Sequence, residues 1–383
     1  MKKLVFYWSP HIDFNVATCK AVLNSANSLK KYSKKFEPVI LNNFGEWNYF
    51  DNEINDKQIK IENIFNIKFK LPIHGFFKSR LFYVFFSLIS IIPVFNFIKK
   101  KKPDIVIIHL ITIPILVISK FFNLKTKFIL RISGFPKLNF FRKFMWKFLS
   151  SNLSLVFCPT SITKEIFDKN RIFKDIPIKV LEDPIVEIKK INIKKNEAIK
   201  DLDTQKYIIS IGRLTKQKNF NFLIESFHKM SNEIKDYKLI IIGTGELEKQ
   251  LKKKVEKLEL EKKIIFLGYK DNVFKYIKNS SCFVLTSNWE DPGFVIIESA
   301  LCETPIICSD VYSGPIEFIE KDNVCGFLYE KDNYDQFYQR LTHVLSNSDD
   351  ESIKKRLINA KRKAKKYSLF QHQKKLSEYL KNF

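Results

Sequence analysis

Apolar runs of strand length recur along the chain, separated by longer stretches in which apolar positions return with helical spacing. Leu4–Trp8, Val39–Leu41, Ile105–His109, Phe128–Ile132, Leu155–Cys158 and Lys179–Leu181 are predicted strands of a first half. Ile208–Ile211, Leu239–Ile242, Ile264–Leu267, Cys282–Leu285, Pro305–Cys308 and Gly326–Tyr329 are those of a second. Their near-continuous Val, Ile, Leu and Phe is what parallel strands require when helices cover both faces of the sheet. Helical spacers between such strands make βαβ crossovers, so each half is expected to be an α/β, Rossmann-like, doubly wound parallel sheet.

The chain has 383 residues, long enough for two cores, because single cores rarely outgrow about 250–300 residues. Residues 1–186 form the first expected domain and 207–365 the second, with the polar, weakly periodic stretch 187–206 as linker. The amphipathic end, 366–383, is expected as a helix that can cross back to the first domain. Leu81–Ile98 carries no charge and ends at four lysines, which brings it near spanning length. Ser87, Ser90, Pro93 and Asn96 interrupt it, and a strand follows at once, so a buried or interfacial helix is the expectation.

Charge adds possible partners. Of a net +25, residues 1–185 hold 30 Lys or Arg against 13 Asp or Glu, and residues 186–383 hold 36 against 28. Nucleic acid, an anionic membrane surface and phosphorylated ligands all suit that field. The chain lacks the clustered Arg and aromatic residues of an RNA-reading module, which disfavours nucleic acid. The apolar run at the start is too short for a secretory signal. Six scattered cysteines without zinc-like spacing read as buried free thiols in a reducing compartment.

The chemistry concentrates in the second half. A buried strand breaks at Gly212 into the loop that carries Arg213 and Lys218, two cations at the carboxyl end of a strand, where open α/β sheets bind ligands. A guanidinium and an ammonium there suit a diphosphate, although a lysine-rich protein also has such residues on ordinary surface. Leu239–Gly245 is a second strand with the turn Gly243-Thr244-Gly245, followed by Glu246. After Cys282–Leu285, a loop carries Glu290, and a helix is expected to begin near Pro292-Gly293, its free amides suited to a phosphate. Glu298 then lies in the first turns of that helix.

Together Gly212-Arg213-Leu214 with Lys218, Gly243-Thr244-Gly245 and the spacing Glu290-x7-Glu298 resemble the retaining GT-B enzymes of glycosyltransferase family 4. Ser313-Gly314-Pro315-Ile316-Glu317 is similar to that family's closing segment. The likeness covers residues 206–330, and before 185 it rests on element order and on Lys102–His109. It implies two Rossmann-like domains facing a central cleft. It further implies that Arg213, Lys218 and the amides of Gly293, Phe294 and Val295 hold a donor diphosphate. Glu298 would accept from the ribose hydroxyls, and Glu290 would touch the transferred sugar. No metal is implied, because cations and the helix end take the leaving-group charge.

The chain departs from the family at Asn219, where glycine is usual, and at Asp291-Pro292. It also lacks paired glycines in the loop Ser9–Thr18 and offers Ser133 where many relatives have a histidine. His109 suits either substrate contact or packing, and Arg131 suits either an acceptor or phosphate contact or a structural ion pair. His11, His228, His343 and His372 read as incidental. A retaining glycosidase needs two carboxylates flanking one bond, about 5 Å apart, which this pattern does not provide. Asp201-Leu202-Asp203 precedes a strand, the wrong place for a metal-binding Asp-x-Asp.

The resulting expectation is a retaining transferase that moves a hexose or N-acetylhexosamine from a nucleotide sugar, UDP-linked by what the resemblance implies with GDP-mannose left open, to a glycan or lipid-linked acceptor in surface polysaccharide synthesis. It would be cytoplasmic and peripheral on the inner membrane face. The alternative is a non-catalytic basic protein that binds membranes or nucleic acid.

Overall fold

The computed structural model describes residues 2–11, 17–65, 76–134, 138–202, 206–347 and 350–383. The chain divides into two compact units, Met1–Ile185 with Leu369–Phe383, and Val186–Ser368. Residues 12–16 of the loop Ser9–Thr18, and Asp203, lie outside the described residues.

In the first unit the strands are β1 (Lys3–Trp8), β2 (Phe36–Asn42), β3 (Lys60–Asn63), β4 (Ile105–Ile108), β5 (Lys127–Arg131), β6 (Leu153–Cys158) and β7 (Ile178–Val180). They pair in parallel in the order β3-β2-β1-β4-β5-β6-β7. Helices α1 (Ala17–Tyr32), α2 (Asp51–Asp56), α3 (Phe76–Lys101), α4 (Ile113–Phe121), α5 (Phe140–Leu149) and α6 (Ser161–Lys169) connect them. Side chains of β1 alternate between two cores. Phe6 and Trp8 join one with Ile115, Leu116 and Leu149, while Val5 and Tyr7 join another with Val22, Leu23 and Leu376. Both faces are dry, which is why the strand reads as continuously apolar.

The second unit repeats the plan. Helix α7 (Ile188–Lys194) precedes β8 (Tyr207–Ile211), α8 (Phe220–Lys229), β9 (Lys238–Ile242), α9 (Glu248–Lys257) and β10 (Ile264–Gly268). Then come α10 (Phe274–Lys278), β11 (Cys282–Leu285), α11 (Phe294–Leu301), β12 (Ile306–Ser309), α12 (Gly314–Ile319), β13 (Phe327–Tyr329), α13 (Tyr334–Ser346) and α14 (Glu351–Ala364). The sheet order is β10-β9-β8-β11-β12-β13, again parallel. All six cysteines are buried, and burial pushes the thiols of Cys282, Cys302, Cys308 and Cys325 above the usual range.

Two features differ from the sequence pattern, and a third follows it. Strand β3 carries the short sequence Lys-Ile-Glu-Asn, too polar to signal itself, and exists because the edge of β2 offers it a ladder. The expected linker contains α7, anchored by buried Ile191. The apolar stretch 81–98 lies within α3 and buries Phe86, Val94 and Ile98 in the core, while Phe85, Leu88 and Ile92 face out. No helix among the described residues is long and apolar enough to cross a membrane.

The last helix, α15 (Leu369–Leu380), belongs to the first unit and packs on α1. Its His372 is far from incidental. The ring is buried and bridges Ser25 Oγ at 2.8 Å and the Glu182 carbonyl oxygen at 2.7 Å, while Ser25 also meets the Tyr7 hydroxyl at 3.0 Å. Lys375 reinforces the contact through the Glu182 carboxylate at 2.7 Å.

Burial holds His372 neutral and drives its pKa down to about 3, aided by the charges of Arg131 and Lys375 and opposed by the bond to Glu182. A histidine depressed in this way stabilises the fold above its unfolded value, near 6.5, and that contribution is lost as the pH falls toward 3. His372→Gln keeps a hydrogen-bonding group but cannot be charged. Denaturant titrations of the variant should therefore show a flatter decline of stability over this acid range than the parent chain.

Candidate functional site

The carboxyl edge of the second sheet is built on close backbone contact. After β8 the chain turns at Gly212, whose N–H donates to the Ile242 carbonyl at 3.0 Å. Beside it β9 ends in Gly243, with φ +139°, and a methyl group there would lie 2.0 Å from the Gly212 carbonyl oxygen. A methyl on Gly245 would lie 2.5 Å from the Leu214 oxygen. Leu214 N–H donates to Thr244 O and Leu247 N–H to Leu214 O, both at 2.9 Å. The two glycines are thus explained by one turn lying against another. Thr244, Gly245 and Glu246 are exposed beyond that contact.

A second set of bonds ties residues 216–219 to the loop after β11. Thr286 Oγ1 donates to the carbonyls of Lys218 and Asn219, at 3.0 and 3.1 Å. Asn288 donates from its backbone to Gln217 O at 2.7 Å and from its side chain to Lys216 O at 2.8 Å. Gln217 returns a bond to Trp289 O at 2.9 Å. Asn219 caps α8 in the left-handed region, φ +50°, a conformation asparagine tolerates, so it can serve where relatives use glycine.

These bonds bring Lys218 against Glu290. The lysine stem crosses Gly212, its Cε 2.9 Å from where a methyl on that glycine would lie, and the ammonium pairs with the Glu290 carboxylate. Glu290 is 5% exposed and accepts a further bond from Ser287 Oγ at 2.8 Å. Two charges this far from water hold each other, since either alone would be costly to bury.

Glu290 also anchors the closing segment, as its carbonyl accepts from Ser313 N–H at 3.0 Å and Gly314 N–H at 3.2 Å. A methyl on Gly314 would sit 2.0 Å from the Pro292 oxygen, again backbone on backbone. Gly293, φ +82°, then caps α11, and the amides of Phe294 and Val295 head that helix, where no earlier carbonyl can bond them within it. Glu298 lies half-buried in its second turn. The structure therefore gathers Gly212, Lys218, Glu290 and the start of α11. Arg213 is exposed and forms no ion pair among the described residues, and Glu246 is exposed as well.

In the first unit Arg131 takes the second of its two expected roles, the structural ion pair, in place of the acceptor or phosphate contact. Arg131 is buried and its guanidinium pairs with Asp183 at 2.5 Å and bonds the Leu181 carbonyl, so its charge serves the structure and is not presented to an acceptor or phosphate. Breaking such a pair costs about 3–5 kcal/mol. His109 follows β4 and shares with Arg131, Ser25, Asp183 and His372 a cavity with room for about one water. Its pKa is pushed well below the usual value, first by burial and then by the Arg131 charge. Ser133 Oγ lies 3.4 Å from His109 Nδ1.

Around His109 stands a polar group whose other members the sequence did not point to. Ser9, Asn43 and His109 follow β1, β2 and β4, neighbours in the sheet, and are buried. Ser9 Oγ, Asn43 Oδ1, His109 Nε2 and Trp47 Nε1 have no hydrogen-bond partner among the described residues. Buried polar atoms are nearly always bonded, so such a set at the carboxyl edge of a sheet marks a ligand-facing region. Beside them the Glu46 carboxylate accepts from the Asn43 and Phe44 amides, at 2.9 and 2.7 Å, while burial raises its pKa to about 7. Asp201 is exposed and bound to Lys270 and Tyr276. Among the described residues no three His, Cys, Asp or Glu gather to hold a metal ion.

Residues 192–364 match the family model of Glycosyl transferases group 1. An uncharacterized glycosyltransferase of Methanocaldococcus jannaschii is 30% identical over 311 residues, covering 76% of this chain and 73% of that protein. A Campylobacter jejuni protein is 28% identical over 319 residues, covering 82% of each chain. Its name describes an α-1,4-N-acetyl-D-galactosaminyltransferase acting on a diphospho-undecaprenol-linked glycan. Among solved structures, an Anabaena protein, HepE, in complex with UDP is similar over the whole of both chains, with a TM-score of 0.72 at 15% identity.

The touching turns make a sharp prediction. Gly243→Ala must displace the Gly212 carbonyl and strain a positive φ, at a cost of about 3 kcal/mol or more. Thermal unfolding should show a drop of roughly 6 °C or more, whereas alanine at Gly268, where a methyl would meet open space, pays only for its positive φ and should cost less.

Proposed function

This chain belongs to the Glycosyl transferases group 1 family and is a glycosyltransferase of the two-domain GT-B fold, and from that premise we propose that it transfers a hexose or N-acetylhexosamine from a nucleotide diphosphate sugar, with retention, to a glycan or lipid-linked glycan. Family membership sets aside a non-catalytic basic binding protein. The observation that carries the specific assignment is the buried pair of Lys218 and Glu290 at the carboxyl edge of the second sheet, beside the start of α11.

In this scheme Lys218, with Arg213 reaching in from the surface, holds the donor diphosphate, and the amides of Gly293, Phe294 and Val295 meet the same phosphates. Glu298 accepts from the ribose hydroxyls. Glu290 lies against the transferred sugar and steadies positive charge as the bond from the anomeric carbon to the diphosphate oxygen breaks. The acceptor oxygen bonds to that carbon, and its proton passes to the departing diphosphate. Negative charge grows on the leaving group, where fixed cations and amides stabilise it without reorganising, so the chemistry calls on no metal. A UDP-linked donor is favoured by the UDP held by the Anabaena protein, and a lipid-linked acceptor by the substrate named for the Campylobacter relative.

The acceptor is assigned to the first domain, whose unpaired Ser9, Asn43 and His109 atoms offer bonds to sugar hydroxyls. The enzyme is proposed to work at the cytoplasmic face of the membrane, where its basic first half meets anionic lipid.

Glu290→Gln can keep the Ser287 bond but leaves the Lys218 ammonium without its counter-charge, so it should lower kcat by about a hundredfold or more, with a measurable loss of stability in a chain that still folds. Lys218→Ala should do the same and also weaken protection by the nucleotide. Near-parental turnover in either variant would remove the assigned roles. In a thermal-shift series of nucleoside diphosphates, UDP should raise the melting temperature most.

A further inference from the structure

Helices α3, α4 and α5 lie side by side on one face of the first sheet, with α4 packed against both others, and all three give residues to the same core. Beyond that, α5 carries a second apolar face. Met145, Trp146 and Leu149 turn inward, while Phe140, Phe141, Phe144 and Phe148 are 87, 66, 57 and 47% exposed. These four positions fall within about 100° of the helix circumference at 3.6 residues per turn. Phe121, at the end of α4, is exposed and approaches Phe148, with ring centres 6.4 Å apart, and the Lys120 ammonium sits 3.8 Å above the Phe148 ring. A surface helix needs one apolar stripe, and a second one in water has to have an occupant.

Charge selects that occupant. Helices α3, α4 and α5 contain five, one and three Lys or Arg, and no Asp or Glu. Lys147 is exposed beside the phenylalanine face, Arg142 is exposed on the same helix, and Lys99, Lys100 and Lys101 end α3. A second copy docking through the same face would set like charge against like. Aromatic rings flanked by ammonium groups instead suit the boundary of a bilayer, where rings enter the headgroup layer and cations meet lipid phosphate.

We propose that the outer face of α5, with Phe121 and the flanking lysines, is a docking surface for an anionic phospholipid bilayer. It rests on the peripheral-membrane part of the function above and not on the catalytic roles. It also places docking on α5, whereas the apolar stretch 81–98, expected from sequence as a buried or interfacial helix, spends part of its surface on the core.

The test is flotation of the full chain with vesicles of phosphatidylcholine mixed with phosphatidylglycerol, and with phosphatidylcholine alone. The parent should float with the mixed vesicles only. Combined Phe140→Ser, Phe141→Ser, Phe144→Ser and Phe148→Ser should cut vesicle-bound protein by about tenfold or more, while the thermal shift given by UDP stays as in the parent. If the four-fold variant is unstable, Phe140→Ser with Phe141→Ser should still reduce flotation several-fold, these being the most exposed pair. A parent that floats with neither vesicle overturns both the membrane assignment and this surface. Equal flotation of parent and variant overturns α5 alone. A concentration-dependent dimer in sedimentation that the variant abolishes, without vesicle binding, overturns it in favour of self-association. Glu290→Gln should float like the parent, which keeps loss of catalysis separate from loss of docking.

Discussion

Two turns at the carboxyl edge of the second sheet lie so close that their backbones touch, and the candidate site hangs from that contact. Gly243 and Gly245 leave no room for a methyl between the turn after β9 and the turn after β8. The loop from Arg213 to Asn219 is then pinned from its other side by Thr286 and Asn288. Held from both sides, the loop sets Lys218 against a carboxylate 72 residues along the chain. Without the glycines the edge would open, and the lysine would be one more cation on a lysine-rich surface.

The pairing has a consequence for binding. Lys218 and Glu290 neutralise each other, which lets a cation rest in a place where water screens its charge little. In the proposed scheme a diphosphate competes with Glu290 for the ammonium and leaves the carboxylate to face the sugar. Ser287 holds the same carboxylate from a second side, through a hydrogen bond of 2.8 Å.

The first unit solves a similar problem with a different device. Its sheet edge collects Ser9, Asn43, Glu46 and His109 under little solvent, and its far side is closed by a helix from the end of the chain. His372 and Lys375 fasten α15 to the backbone and side chain of Glu182, one residue from the Asp183 that neutralises Arg131. Packing of the terminal helix and burial of the Arg131 charge are therefore parts of one construction. Meanwhile α5 is left with a face that the sheet does not use.

Much of this was legible in the chain. Each expected strand appears within a residue or two at most of its ends, apart from β2, which extends further on the amino side. A parallel strand buried on both faces is conspicuous, because nearly every residue in it is apolar. The glycine turns, Lys218 and Glu290 were also legible, since a strand end fixes where its next residues emerge. Tertiary structure alone decided the rest. Strand β3 exists only because β2 lends it a ladder, and the polar segment after Val186 becomes α7 because Ile191 finds a core. Arg131 turned to Asp183, His372 became an anchor, and the apolar residues of α5 divided between core and solvent, because a partner distant in sequence leaves no local signal. Sequence determines what a segment prefers by itself, whereas charge pairing, close approach and burial of a polar group depend on which neighbours folding delivers.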